Sequence, residues 1–184
     1  MDESLKELMY NFQSSGRNHQ EISVFQHENR KKQWLAVRLL LDEISLEKTK
    51  ILYHENGQPY TEKYNLSISH SHELVAVCMS LNKAVGIDIQ KKDEKIFRIA
   101  KRFLTEEEQL LCAGDLENTT KCWAVKEALY KLYGDGSPYF DKDYQVLNIT
   151  PDYVKAKMCY KNIWQEFHLQ IEKMEDAVIA VVSD

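Results

Sequence analysis

The chain has 184 residues, enough for one domain or two small lobes, and its 43% hydrophobic content can fill a core. Charged residues make up 29%, with only 6 glycines and 3 prolines, which excludes bulk disorder. A formal net charge of −5 argues against a general nucleic-acid binder.

The opening Met1-Asp2-Glu3-Ser4 is acidic and no apolar signal region follows it. No stretch is apolar for long enough to span a bilayer. Together these features predict a cytoplasmic protein with no membrane partner. Cys78, Cys112, Cys122 and Cys159 form no C-x-x-C pair and have mostly apolar neighbours. They read as small buried thiols, with a cysteine nucleophile or zinc site as the alternative.

Along the chain, Leu5 to Phe12 reads as a short helix and about Glu28 to Ile44 as a longer one, with Trp34, Leu35, Leu39 and Leu41 apolar. Asn56-Gly57-Gln58-Pro59 is a turn signal. Leu66-Ser67-Ile68-Ser69 alternates as a half-buried strand should, and Leu74 to Met79 reads as a more buried one. Ser69-His70-Ser71-His72 reads as a polar bend between them. Leu81-Asn82-Lys83 is a tight turn and a lobe boundary. In the strand Ala84 to Gln90, Val85, Ile87 and Ile89 share one face, and Gly86, Asp88 and Gln90 the other.

A basic helical stretch is expected from Lys91 to Arg102, then a capping box at Thr105-Glu106-Glu107-Glu108. Asn118-Thr119-Thr120 can cap the helix that carries Trp123 to Leu132, and Gly134 can end it. Strands are expected near 144–149, 154–160, 166–172 and 177–182. The predicted class is α+β, with a lobe at 1–83 and another at 84–184, each a mainly antiparallel sheet packed with helices.

Several residues could carry chemistry. On the helix 123–131, Trp123, Glu127, Tyr130 and Lys131 fall on one side. Glu127 and Lys131 could be an ordinary i,i+4 surface pair, but the two aromatics beside them suggest a lined cleft. Asp88 in an apolar strand is costly to bury unless paired, hydrogen-bonded or metal-bound, and could otherwise be a strand-end residue facing water. If their elements converge, Asp88 and Glu127 meet the oxygen-ligand preference of Mg2+, with Lys131 in reach of a phosphate. Lys126 points elsewhere on the helix, either into solvent or toward a phosphate from its edge. Ser69 and His70 could bind phosphate, form a weak Ser–His pair without a nucleophile elbow, or be a plain polar turn, and His70 with His72 would be a zinc site lacking further ligands. Basic residues cluster at Arg30, Lys31, Lys32 and Arg38, and at Lys91, Lys92, Lys95, Arg98, Lys101 and Arg102. Either cluster would be a solvated face or suit an anionic ligand or acidic partner.

Four segments in this order resemble the 4′-phosphopantetheinyl transferase family of the Sfp type: Asn65 to Ser71, Val85 to Gln90, Arg102 to Glu108, and Trp123 to Lys131. The resemblance implies transfer of 4′-phosphopantetheine from coenzyme A to a serine of an apo acyl- or peptidyl-carrier protein, releasing adenosine 3′,5′-bisphosphate. It implies a pseudo-dimer of two similar lobes with coenzyme A between them. Carried onto matching positions, it implies Asp88 and Glu127 as Mg2+ ligands, and Glu127 also as an aid to serine deprotonation. Lys131 would bind the pyrophosphate, Ser69 and His70 the phosphates of the adenosine end, and Arg38 a position near the 3′-phosphate. Lys126 joins the phosphate-contacting set. The stretch Lys91 to Arg102, with Phe103 as an apolar contact, would meet an acidic helix of the carrier. Departures are Gln90 where many members have a third acid, Gln58 where a basic residue is common, and no evident strand before the first helix. They motivate the alternative of a catalytically impaired coenzyme A-binding protein.

Overall fold

The computed structural model describes residues 3–14, 20–45, 48–137 and 139–184. The fold is α+β, with two antiparallel sheets. The first contains β1 (Leu52–Tyr53), β2 (Pro59–Tyr60), β3 (Asn65–Ser71) and β4 (Leu74–Ser80) in that order. The second contains β5 (Val85–Lys91), β6 (Tyr144–Ile149), β7 (Tyr153–Tyr160), β8 (Ile163–Lys173) and β9 (Ala177–Ser183), in the order β5-β9-β8-β7-β6. Helices α1 (Leu5–Ser14) and α2 (Glu28–Ser45) precede the first sheet, while α3 (Ile96–Ile99), α4 (Glu106–Cys112) and α5 (Leu116–Tyr133) lie between β5 and β6.

Alternation in β3 and β4 decides how the sheets meet. Leu66 and Ile68, with Val75, Val77 and Met79, pack on Val37 and Leu41 of α2. The opposite face of β4 presents Leu74, Ala76 and Cys78 to Ile87, Ile89, Ile179 and Val181 of the second sheet. Strand β5 pairs only with β9, so its other edge needs hydrogen-bond acceptors. Serine hydroxyls supply them: Ile87 N–H donates to Ser67 Oγ at 3.0 Å, Ile89 N–H to Ser69 Oγ at 3.2 Å and Lys91 N–H to Ser71 Oγ at 3.1 Å.

The largest core lies under α5, where Val125, Ala128, Leu129 and Leu132 meet Val154, Leu169, Val178 and Ala180. Gly86 lets α5 approach β5, because a Cβ there would collide with the Ala128 carbonyl oxygen. Thr105 and Glu108 form the expected capping box of α4. Helix α5 begins earlier than its sequence suggests. Asp115 is the N-cap and accepts from Asn118 N–H at 2.8 Å. Thr119 and Thr120 lie inside the helix, donating to the carbonyls of Asp115 and Leu116 at 2.7 Å each. Gly134 ends the helix in the left-handed conformation, φ 71°.

Three local expectations are corrected. His70 and Ser71 belong to β3, and the bend falls at His72 (φ 54°), because the serine face of the strand remains occupied through Ser71. The stretch 91–102 is not one helix: Lys91 ends β5 and helical structure covers only Ile96 to Arg102. Residues 52–53 and 59–60 add two short strands around the Gly57 turn.

Candidate functional site

Asp88 and Lys131 meet where β5 passes under α5. The Lys131 ammonium donates to Asp88 Oδ1 at 2.6 Å, Ser69 Oγ at 3.0 Å and the Ile87 carbonyl at 3.3 Å. Ser69 Oγ also donates to Asp88 Oδ1, at 2.7 Å. Asp88 is 5% exposed, and its Oδ2 is buried with no hydrogen-bond partner among the described residues. Burial raises its pKa, and Lys131 and Ser69 only partly offset that.

Glu127 lies one turn before Lys131 and is part-buried. Burial and repulsion from Asp88 push its pKa to about 7, against the pull of Lys131. Lys131 therefore bridges away from its own helix to Asp88, instead of closing an exposed i,i+4 pair. A cation fits this donor set: one buried carboxylate oxygen is orphaned and a second carboxylate is repelled by the first. Two carboxylates plus substrate phosphates are a common Mg2+ environment. Among the described residues, no cluster of three or more His, Cys, Asp or Glu side chains forms a ready metal site.

Three cavities share lining residues in series: the first is lined by residues between 25 and 70, the second by residues from both 56–68 and 130–134, and the third by residues between 99 and 140. One, of about 310 Å3, is lined by Arg30, Trp34, Arg38, Gly57, Ile68 and His70 among others. A second, about 240 Å3, shares Gly57, Pro59 and Ile68 with it and adds Tyr130 and Lys131. The third, about 410 Å3, shares Tyr130 and is lined by Arg102, Phe103, Trp123, Glu127 and Phe140. Trp123 packs edge-on against Phe103 and Phe140, with centroids 4.9 and 5.6 Å away. This is the aromatic cleft expected beside Glu127.

In the first cavity, Arg30 Nη1 lies 2.8 Å from His70 Nε2. Partial burial and the Arg30 charge lower the His70 pKa, favouring a neutral ring whose Nε2 accepts that bond. Arg38 is buried, stacks its guanidinium 3.5 Å over the Trp34 ring and donates to the Trp34 carbonyl at 3.2 Å. Arg38 and His70 thus share one basic cavity.

Two expected phosphate contacts are corrected. Lys126 is fully buried. Its ammonium donates to Glu108 Oε2 at 2.7 Å and to the carbonyls of Phe103 and Phe140 at 2.6 and 2.9 Å, so every donor is used inside the core. Burial lowers its pKa, against the pull of Glu108. The Ser69 hydroxyl is 4% exposed and turned to Asp88, Ile89 and Lys131 rather than into the basic cavity. Phe103 is also buried, at 1% exposed, and cannot serve as a protruding partner contact. Arg98 and Arg102 remain on the surface.

Two residues that the sequence marks only as departures, Gln58 and Gln90, have structural partners. Gln58 Nε2 donates to the Lys131 carbonyl at 3.3 Å and Asn56 Nδ2 to the Gly134 carbonyl at 3.0 Å, so the 56–58 turn caps the end of α5. The Gln90 amide donates to the Lys91 carbonyl at 3.3 Å. Serines at 67, 69 and 71, two apart on a strand, were the available signal for the hydroxyl ladder, but a polar strand face usually means solvent. All four cysteines are unbridged, and Cys112 Sγ lies 3.3 Å from Cys122 Sγ in the core.

Asp88 and Lys131 thus meet where β5 and α5 cross, with Glu127 one turn before, and Arg30, Arg38 and His70 line a separate basic cavity. The chain belongs to the 4′-phosphopantetheinyl transferase superfamily, whose family model matches residues 84–182. That span holds Asp88, Glu127 and Lys131. The chain is similar to "4′-phosphopantetheinyl transferase gsp" of Aneurinibacillus migulanus, with 31% identity over 110 residues. The match covers 55% of this chain and 46% of that protein, so it spans about half of the relative's length. No helix among the described residues is long and apolar enough to cross a membrane.

Proposed function

We propose that the protein transfers 4′-phosphopantetheine from coenzyme A to a serine of an apo acyl- or peptidyl-carrier protein and releases adenosine 3′,5′-bisphosphate. The observation that carries this reading is the buried, orphaned Asp88 Oδ2, on a carboxylate that Lys131 holds through Oδ1 and whose charge Glu127 feels from one turn earlier on α5. Residues 1–83 and 84–184 act as two lobes, with coenzyme A along the three linked cavities. Its adenosine end occupies the basic one with Arg38 and His70, and its pyrophosphate lies near Lys131.

Asp88 and Glu127 would hold Mg2+, which when bound supplies positive charge to the pyrophosphate oxygens. Lys131 stabilises negative charge on the leaving phosphate as the P–O bond breaks, an interaction worth more in the transition state than in the ground state. The ammonium is partly exposed, which leaves it accessible from the groove while it holds Asp88. The nucleophile is the carrier's serine, and Glu127 has a proton affinity suited to accepting its proton near neutral pH. The wall of Trp123, Tyr130 and Phe140 limits water at that end.

The test is incubation of the chain with coenzyme A, Mg2+ and several apo carriers, read as a mass gain of one phosphopantetheine on the carrier. Asp88→Ala and Glu127→Ala should each abolish transfer, since loss of metal stabilisation costs several kcal/mol. Transfer that survives both changes would refute this site. Coenzyme A binding without transfer to any carrier would instead identify an impaired, binding-only protein.

A further inference from the structure

We propose that Ser69 is a positioning residue for Asp88: its hydroxyl engages Oδ1, keeps Oδ2 as the uncommitted oxygen, and so ties docking of the first sheet to cation binding on the second. The proposal rests on reading Asp88 as a cation ligand.

The three serines of β3 play the same backbone role. Each hydroxyl accepts one edge N–H of β5, at 3.0, 3.2 and 3.1 Å for Ser67, Ser69 and Ser71. A ladder that only seals an edge would make the three equivalent. Ser69 differs, because it alone also donates to Asp88 Oδ1 and accepts from Lys131. A hydroxyl has one proton and two lone pairs, and Ser69 uses all of them. It has no capacity left for a substrate phosphate.

The consequence lies in the carboxylate. Oδ1 is held by two donors from different elements, Ser69 on β3 and Lys131 on α5. Oδ2 is buried and unpaired, an arrangement that costs free energy until a positive charge or donor arrives. Without the Ser69 donor, the carboxylate loses one of the two bonds that distinguish its oxygens, and Lys131 loses one of its three acceptors. Hydrogen bonds that orient a ligating group typically account for about 10- to 100-fold in metal affinity.

The experiment compares Ser67→Ala, Ser69→Ala and Ser71→Ala with the parent chain, using Mn2+ as the probe and its electron paramagnetic resonance in excess coenzyme A as the readout. Urea unfolding is measured alongside. All three variants strand one edge N–H and lose stability, Ser69→Ala the most because its hydroxyl makes two further bonds. Only Ser69→Ala should weaken Mn2+ binding, by about 10- to 100-fold. Ser69→Thr, which retains a hydroxyl, should recover most of it. Should Ser69→Ala fail to fold, Ser69→Cys decides, since its thiol occupies the same place with a much weaker bond and should also lower the affinity. Equal Mn2+ affinity in the parent and the Ser69 variant would overturn the proposal and reduce the serine to an edge seal. Absence of protein-dependent Mn2+ binding in the parent chain would overturn the cation reading of Asp88 itself, and the proposal with it.

Discussion

Lys126 and Glu127 are adjacent in sequence and point about 100° apart around α5. That angle sends one into the core and the other to the groove. Lys126 neutralises Glu108 at a point where both side chains are fully buried. Lys126→Met should therefore destabilise the fold by about 3–5 kcal/mol, because Glu108 is left as an uncompensated buried charge. Urea unfolding checks the loss. The Kd for coenzyme A of the folded fraction should stay unchanged, and a large rise would return Lys126 to the phosphate site. Glu127 shows the opposite behaviour. Its folded pKa of about 7 exceeds the ordinary 4.5, so the folded state holds a proton that the unfolded chain has already lost. This contribution to stability is complete below pH 4.5 and disappears as pH rises through 7. Glu127→Gln should match the parent's stability near pH 4.5 and exceed it by about 1–3 kcal/mol at pH 8. Parallel urea midpoints at the two pH values would sink this reading of Glu127.

Element α5 owes its place to small features at both ends and one in the middle. Asp115 starts it, Gly134 stops it, and Gln58 and Asn56 bind its last carbonyls. Gly86 sets its distance from β5. Gly86→Ala should push α5 away from β5 and cost about 1–3 kcal/mol of stability. The same displacement separates Lys131 from Asp88, so kcat should fall by more than the lost folded fraction explains. A variant with a lowered Tm but full kcat would show that the close approach matters only for packing. The Gly86-Ile87-Asp88 sequence had marked a strand and a carboxylate. The need for glycine was not legible, because the atom it avoids is a backbone oxygen 42 positions away in the chain.

At the scale of the whole molecule, the proposed function would place ligand recognition beside the first sheet, at Arg38 and His70, and reaction at Asp88, Glu127 and Lys131. His70→Ala should weaken coenzyme A binding about tenfold or more, as expected for loss of a hydrogen bond to a charged phosphate. The same change should leave Mn2+ affinity at Asp88 intact. Calorimetry with coenzyme A and with its 3′-dephospho form checks the assignment, since the variant should distinguish the two ligands less than the parent, with Arg38 still in the cavity. The α+β class and most strand and helix positions were legible in the sequence alone, as were the residue types of the proposed site. Those follow from hydrophobic periodicity and local capping, which act over a few residues. Only the tertiary structure decided that Lys131 bonds Asp88 rather than Glu127, that Lys126 is spent on Glu108, and that the serine face of β3 seals the edge of β5. Each depends on which buried polar group finds a partner when two distant segments close on each other, and a low-dielectric interior enforces that pairing far more strongly than local spacing can.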